Sequence, residues 1–126
     1  MKLSKKNSNK LQISIIIITY KRINNVIDIL KDLKSQSFLE FEVVLVSDGC
    51  KTAYNNKIKV FSKFFPIQYL DTGLKNKYGL ATARNLGLKA AKSNYCILLD
   101  DDCRVSRDLV KHHYLNREPL TIIGGQ

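Results

Sequence analysis

The residues best able to do chemistry in this chain are three consecutive carboxylates, Asp100, Asp101 and Asp102, set directly behind the apolar run of residues 95–99. A short apolar run of this kind reads as a buried strand. Three acids at its end cannot lie in the core, because an unpaired buried carboxylate is too costly. Their mutual repulsion also opposes full ionisation unless positive charge sits among them. A hard divalent cation, bound through one or two carboxylates and a substrate phosphate, resolves the conflict. The competing explanation is an acidic turn after a strand, and for an isolated Asp-Asp-Asp it is the better one. The choice depends on what else the chain brings to the same place.

The elements that must position these acids follow from the hydropathy pattern. Residues 11–18 are β-branched and continuous, as in a buried parallel strand. Asn24 or Asn25 can cap a helix whose apolar positions Val26, Ile29, Leu30 and Leu33 share one face. Residues 41–46 give a second strand. A helix is expected over 52–64, with Ile58, Phe61 and Phe65 facing inward, until Pro66 stops it; residues 67–70 then form a short third strand. Residues 71–79 read as a polar loop. Leu80, Ala83, Leu86 and Ala90 recur at helical spacing ahead of the fourth strand, 95–99. Ser106 can cap a further helix with Leu109, Val110 and His113 inward, and residues 120–123 begin another strand after Pro119.

Such alternation predicts a doubly wound, mostly parallel α/β sheet. Ligands bind beyond the carboxyl ends of the strands in such sheets. The unusual polar residues gather there: Thr19, Tyr20, Lys21 and Arg22 after the first strand, Ser47, Asp48 and Gly49 after the second, and the three acids after the fourth. Arg84 lies near the start of the helix that leads into the acidic strand. Three clusters at strand ends favour a site over a chance turn. The last strand is left without a partner, so the domain reads as truncated at its C-terminus.

Composition narrows the classes. At 126 residues, 44% hydrophobic and 25% charged, the chain is one soluble domain or less. Residues 1–10 read as a disordered basic tail and 11–126 as the folded part. No apolar run is long enough to cross a membrane. Cys50, Cys96 and Cys103 lack paired spacing, which argues against a disulfide framework or a zinc site; Cys96 reads as a small core residue. His112 and His113 are adjacent and cannot share one ligand face on a helix. The net charge of +10 favours acidic partners such as nucleotide phosphates or anionic head groups. No basic-aromatic motif points to nucleic acid.

With these residues in place the chain resembles a family 2 glycosyltransferase of the GT-A fold. The resemblance rests on Ile13 through Arg22, on Gln36-Ser37-Phe38 with Phe41 through Cys50, on Gly79-Leu80-Ala81-Thr82-Ala83-Arg84-Asn85-Leu86-Gly87, and on Leu98-Leu99-Asp100-Asp101-Asp102, which is similar to a D-x-D segment. It covers about residues 12–126. It implies transfer of a sugar, with inversion, from a nucleotide diphosphate sugar, a UDP-sugar first of all, to a hydroxyl acceptor. It also implies polysaccharide or glycoconjugate assembly at the cytoplasmic face of a membrane.

Residue by residue, the resemblance implies that Tyr20 stacks on the base, Thr19 adds polar contacts and Asp48 accepts a base N–H. Asp-Gly is also a common turn pair, so Asp48 alone decides nothing. Asp102 would ligate Mn²⁺ or Mg²⁺, and Asp100 would bind metal, ribose or sugar hydroxyls. Arg84 would brace these acids or touch the sugar-phosphate, while Arg22 and Asp101 are counted with the nucleotide-sugar contacts. Asn85 and Gly87 read as packing residues. The sequence departs from the family at Ser47, where an acid is usual, and at Ile18, where Pro is common. The acceptor half and the general base are expected beyond residue 126. The alternative is therefore a non-catalytic nucleotide-sugar-binding module.

Overall fold

The computed structural model describes residues 11–47, 55–73 and 80–117. The chain runs β1 (Ile13–Thr19), α1 (Ile23–Lys34), β2 (Phe41–Ser47), α2 (Asn55–Lys59) with a 3₁₀ turn Val60–Lys63, β3 (Ile67–Asp71), α3 (Leu80–Ala90), β4 (Cys96–Asp100) and α4 (Leu109–Leu115). The strands form one parallel sheet in the order β3-β2-β1-β4. This is the doubly wound arrangement expected.

β1 is central, and its alternate side chains feed two cores. Ile13, Ile15 and Ile17 pack with Val43, Leu45 and the α1 residues Val26, Ile29, Leu30 and Leu33 on one face. Ile16 packs with Val44, Val46 and Ala83 of α3 on the other. Each such buried aliphatic side chain contributes about 1.5–3 kcal/mol. The all-apolar run of β1 thus reflects burial on both sides.

Several boundaries differ from the expectation for physical reasons. α1 starts at Ile23 with Arg22 at the N-cap and no side-chain capping bond, so Asn24 and Asn25 lie inside the first turn. The expected helix over 52–64 is α-helical only over Asn55–Lys59 and tightens to 3₁₀ before Phe64, residues 52–54 lying outside those described. Pro66 disfavours helix at the preceding residue, and a 3₁₀ turn is a common way to end one. β4 extends to Asp100, which pairs with Ile18. α4 begins after Asp108, not at Ser106, whose carbonyl instead accepts the Leu109 N–H. Its inward face holds Val110, Leu109 and Tyr114, the last stacked on Phe38 at 4.6 Å. His113 is half-buried and His112 exposed. The expected tail 1–10 and strand 120–123 lie outside the described residues.

At the amino end of the sheet a buried acid replaces apolar packing. Glu42 accepts from Ser14 Oγ at 2.7 Å, Gln68 Nε2 at 3.0 Å and the Lys92 N–H at 2.6 Å, and Gln68 also donates to Ala90 O. These donors satisfy a carboxylate that would otherwise be costly to bury. Cys96 is half-buried on the same side, and burial, with the Glu42 charge adding to it, pushes its thiol pKa up.

Candidate functional site

The strand order fixes where a ligand can enter. From β1 the chain steps outward through β2 to β3, then returns by way of α3 to place β4 on the other side of β1. The carboxyl ends of β1 and β4 therefore flank the topological switch point, the usual crevice of an open α/β sheet. The Thr19–Arg22 segment leaves one lip and Asp100, Asp101 and Asp102 leave the other.

The three acids do not share one fate. The Cys103 N–H bonds back to Asp100 O at 3.2 Å, closing a tight turn with Asp101 and Asp102 at its tip. Asp101 turns inward. Its Oδ2 accepts from Thr19 Oγ1 at 3.0 Å and from the Tyr20 N–H at 3.4 Å, and its Oδ1 faces Arg22 Nη1 at 3.2 Å. The side chain of Asp101 is only 10% exposed. Asp100 and Asp102 project outward, and the Asp100 carboxylate is 63% exposed. Arg84, on the second turn of α3, holds Nη2 4.0 Å from Asp100 Oδ1.

The opposite lip is a constrained turn. Thr19 is buried and Tyr20 exposed, and Lys21 adopts φ +55, a left-handed conformation uncommon for a side-chain-bearing residue. Lys21 Nζ lies 5.1 Å from the Tyr20 ring centroid. Downstream of the acids, Arg104 and the Val105 N–H bind Asp32 of α1, fastening the exit of the acidic turn.

Two sets of contacts thus flank the switch point, Asp101 with Thr19, the Tyr20 N–H and Arg22, and Asp100 with Arg84, while the Asp102 side chain is exposed. Asp48 lies outside the described residues. Sequence reasoning missed Asp71, read there as the first loop residue. It ends β3 in register with Ser47, as Ser47 is with Thr19. Ser47 Oγ donates to Asp71 Oδ1 at 2.5 Å and lies 3.1 Å from Tyr69 Oη. A carboxylate from β3 therefore stands beside Ser47, the position at which the resemblance implies an acid. Strand register was the signal that could have found it.

Two outward carboxylates separated by an inward one suit a hard cation that takes its remaining oxygens from a ligand. Among the described residues, no group of three His, Cys, Asp or Glu could hold a metal alone. Asp100 and Asp102, the exposed carboxylates of this turn, offer oxygen donors of the kind such a cation takes.

Comparison with known proteins gives the family and the fold. The sequence profile described as glycosyl transferase family 2 matches residues 14–118. An uncharacterized glycosyltransferase of Rickettsia bellii is 36% identical over 104 residues, covering 82% of this chain and 14% of the relative. Staphylococcus aureus TarS 1–349 in complex with UDP-GlcNAc superposes with a TM-score of 0.74 at 24% identity, over 82% of this chain and 30% of that one. The Pyrobaculum calidifontis mannosyltransferase PcManGT, in complex with GDP-Man and Mn²⁺, superposes at 0.62 and 18% identity, over 74% of this chain and 28% of that one. These structural likenesses show the fold. The chain spans only a fraction of each of these proteins.

Proposed function

Because the chain belongs to glycosyl transferase family 2, we propose that it forms the donor-binding part of a glycosyltransferase using a nucleotide diphosphate sugar. The observation that carries this reading is the meeting, at the switch point between β1 and β4, of an aromatic-bearing turn with a turn that exposes two carboxylates.

In this reading Tyr20 stacks on the base, a contact that tolerates any base because each has a π face. Asp48, which follows β2 in the sequence, and Asp71, which ends β3, would read base or ribose donors. Asp102, with Asp100, would hold Mn²⁺ or Mg²⁺, which supplies Lewis-acid neutralisation of the departing diphosphate when bound. Arg84 balances the Asp100 charge and presents a cation to the sugar-phosphate. UDP-GlcNAc in TarS and GDP-Man with Mn²⁺ in PcManGT support the donor class. The acceptor is a hydroxyl, and the activating base stands outside this donor site.

No helix among the described residues is long and apolar enough to cross a membrane. We assign any membrane association to the net charge of +10 acting on anionic head groups. Calorimetry with UDP, with and without Mn²⁺, tests the donor reading. Mn²⁺-dependent binding that Asp102→Ala removes is expected, and equal binding by that variant would take Asp102 out of the cation's shell.

A further inference from the structure

We infer that Asp101 is a positioning residue: one carboxylate sets the separation between the cation-facing acids and the Tyr20 ring. The inference rests on the donor-site reading above. Ladder pairing between β1 and β4 ends at Ile18 and Asp100, so beyond that point the sheet no longer ties the two lips together. The Asp101 side chain supplies a tie there, reaching Thr19 Oγ1, the Tyr20 N–H and Arg22 Nη1 across the switch point.

The chemistry of the tie is specific. Both carboxylate oxygens face donors, Oδ2 toward Thr19 and Tyr20 and Oδ1 toward Arg22. An asparagine cannot replace it, because its NH₂ would have to point at one of those donors. At 10% exposure the group has little water to fall back on. The tie also works against a turn holding Lys21 at φ +55, a conformation that persists only where its surroundings enforce it. Holding Asp101 inward leaves Asp100 and Asp102 to project out of the same tight turn. One residue thus orients the acids on its own turn and the ring on the other.

Two measurements on the 126-residue chain test this. In the first, UDP affinity is measured for wild type, Asp101→Asn, Tyr20→Ala and the double variant. A residue acting through Tyr20 costs about tenfold in the Tyr20 background and about twofold or less once the ring is gone. Additive losses would overturn the inference, since direct contact or general loss of stability gives additivity. In the second, amide exchange is followed without ligand. Asp101→Asn should speed exchange at Tyr20 and Lys21 about tenfold while Val43–Val46 keep their protection. Unchanged exchange at Tyr20, or loss of protection across the whole sheet, also overturns it. A wild-type chain that fails to bind UDP sinks the donor reading, while the exchange pattern decides the tie independently.

Discussion

Arg104 grips Asp32 with both ends of its fork, Nε to Oδ2 at 2.7 Å and Nη2 to Oδ1 at 2.8 Å. Fork-on-carboxylate pairs are geometrically specific as well as strong. The acidic turn is therefore fastened on both sides, upstream through Asp101 to β1 and downstream through Arg104 to α1.

That grip sets a pH dependence. The Arg104 hydrogen bond chiefly holds the Asp32 carboxyl below its ordinary 3.8, against desolvation and with help from the Val105 N–H. A group whose pKa folding lowers adds stability that is complete above its unfolded value and vanishes as pH falls through the folded value. Melting curves of wild type and Asp32→Asn should be well separated at neutral pH and converge as the pH drops below about 4. A gap that persists undiminished in acid would mean that charge is not its source.

Gly87 lets α3 lie close on the sheet. A β-carbon there would stand 2.6 Å from Ile16 Cγ2 and 3.3 Å from Val46 Cγ2, both on fully buried residues. Gly87→Ala should cost about 1–3 kcal/mol through overpacking, despite alanine's better helix propensity. Urea denaturation reads the loss directly. A stabilised variant would show that the helix can retreat freely.

Removing Arg84 should have opposite effects on two ligands. Its guanidinium is 4.0 Å from Asp100 and competes with any cation there, yet it also attracts anions. Arg84→Ala should bind Mn²⁺ alone a little more tightly and UDP a little more weakly, each by about 1 kcal/mol or less for so exposed a pair. Paramagnetic titration of Mn²⁺ and calorimetry of UDP measure the two arms, and parallel changes would argue against the split role.

The base pocket should show a division between stacking and reading. Tyr20→Ala should weaken all nucleoside diphosphates by about 1–3 kcal/mol, whatever the base. Asp48→Ala should chiefly flatten preference among bases, as seen by competition between UDP, GDP and ADP. Equal losses across all three from both substitutions would merge the roles.

The apolar strands and the α1 stripe were legible because periodicity reports burial, and Val26, Ile29, Leu30 and Leu33 are all buried as read. The approach of Thr19 to the acidic turn also followed from neighbouring strand ends in a parallel sheet. The separate orientations of Asp100, Asp101 and Asp102 did not, because a tight turn is set by the Cys103-to-Asp100 bond and not by residue type. Asp71 was missed because its neighbour Ser47 is 24 residues away in sequence and adjacent only through strand register. Glu42 was hidden for a similar reason, its donors coming from Ser14, Gln68 and Lys92.

The Glu42 cluster gives α3 a fixed end. The helix is clamped just past its last residues, where Ala90 O and the Lys92 N–H engage Gln68 and Glu42, and the Ser93 N–H engages Ser14. Ala83 and Gly87, both against Ile16, seat the middle of the same helix, and Arg84 stands beside that contact. Held at its end and at its middle, the helix fixes the backbone of Arg84, so the guanidinium adjusts to a ligand through its own side-chain torsions while the sheet beneath it stays still.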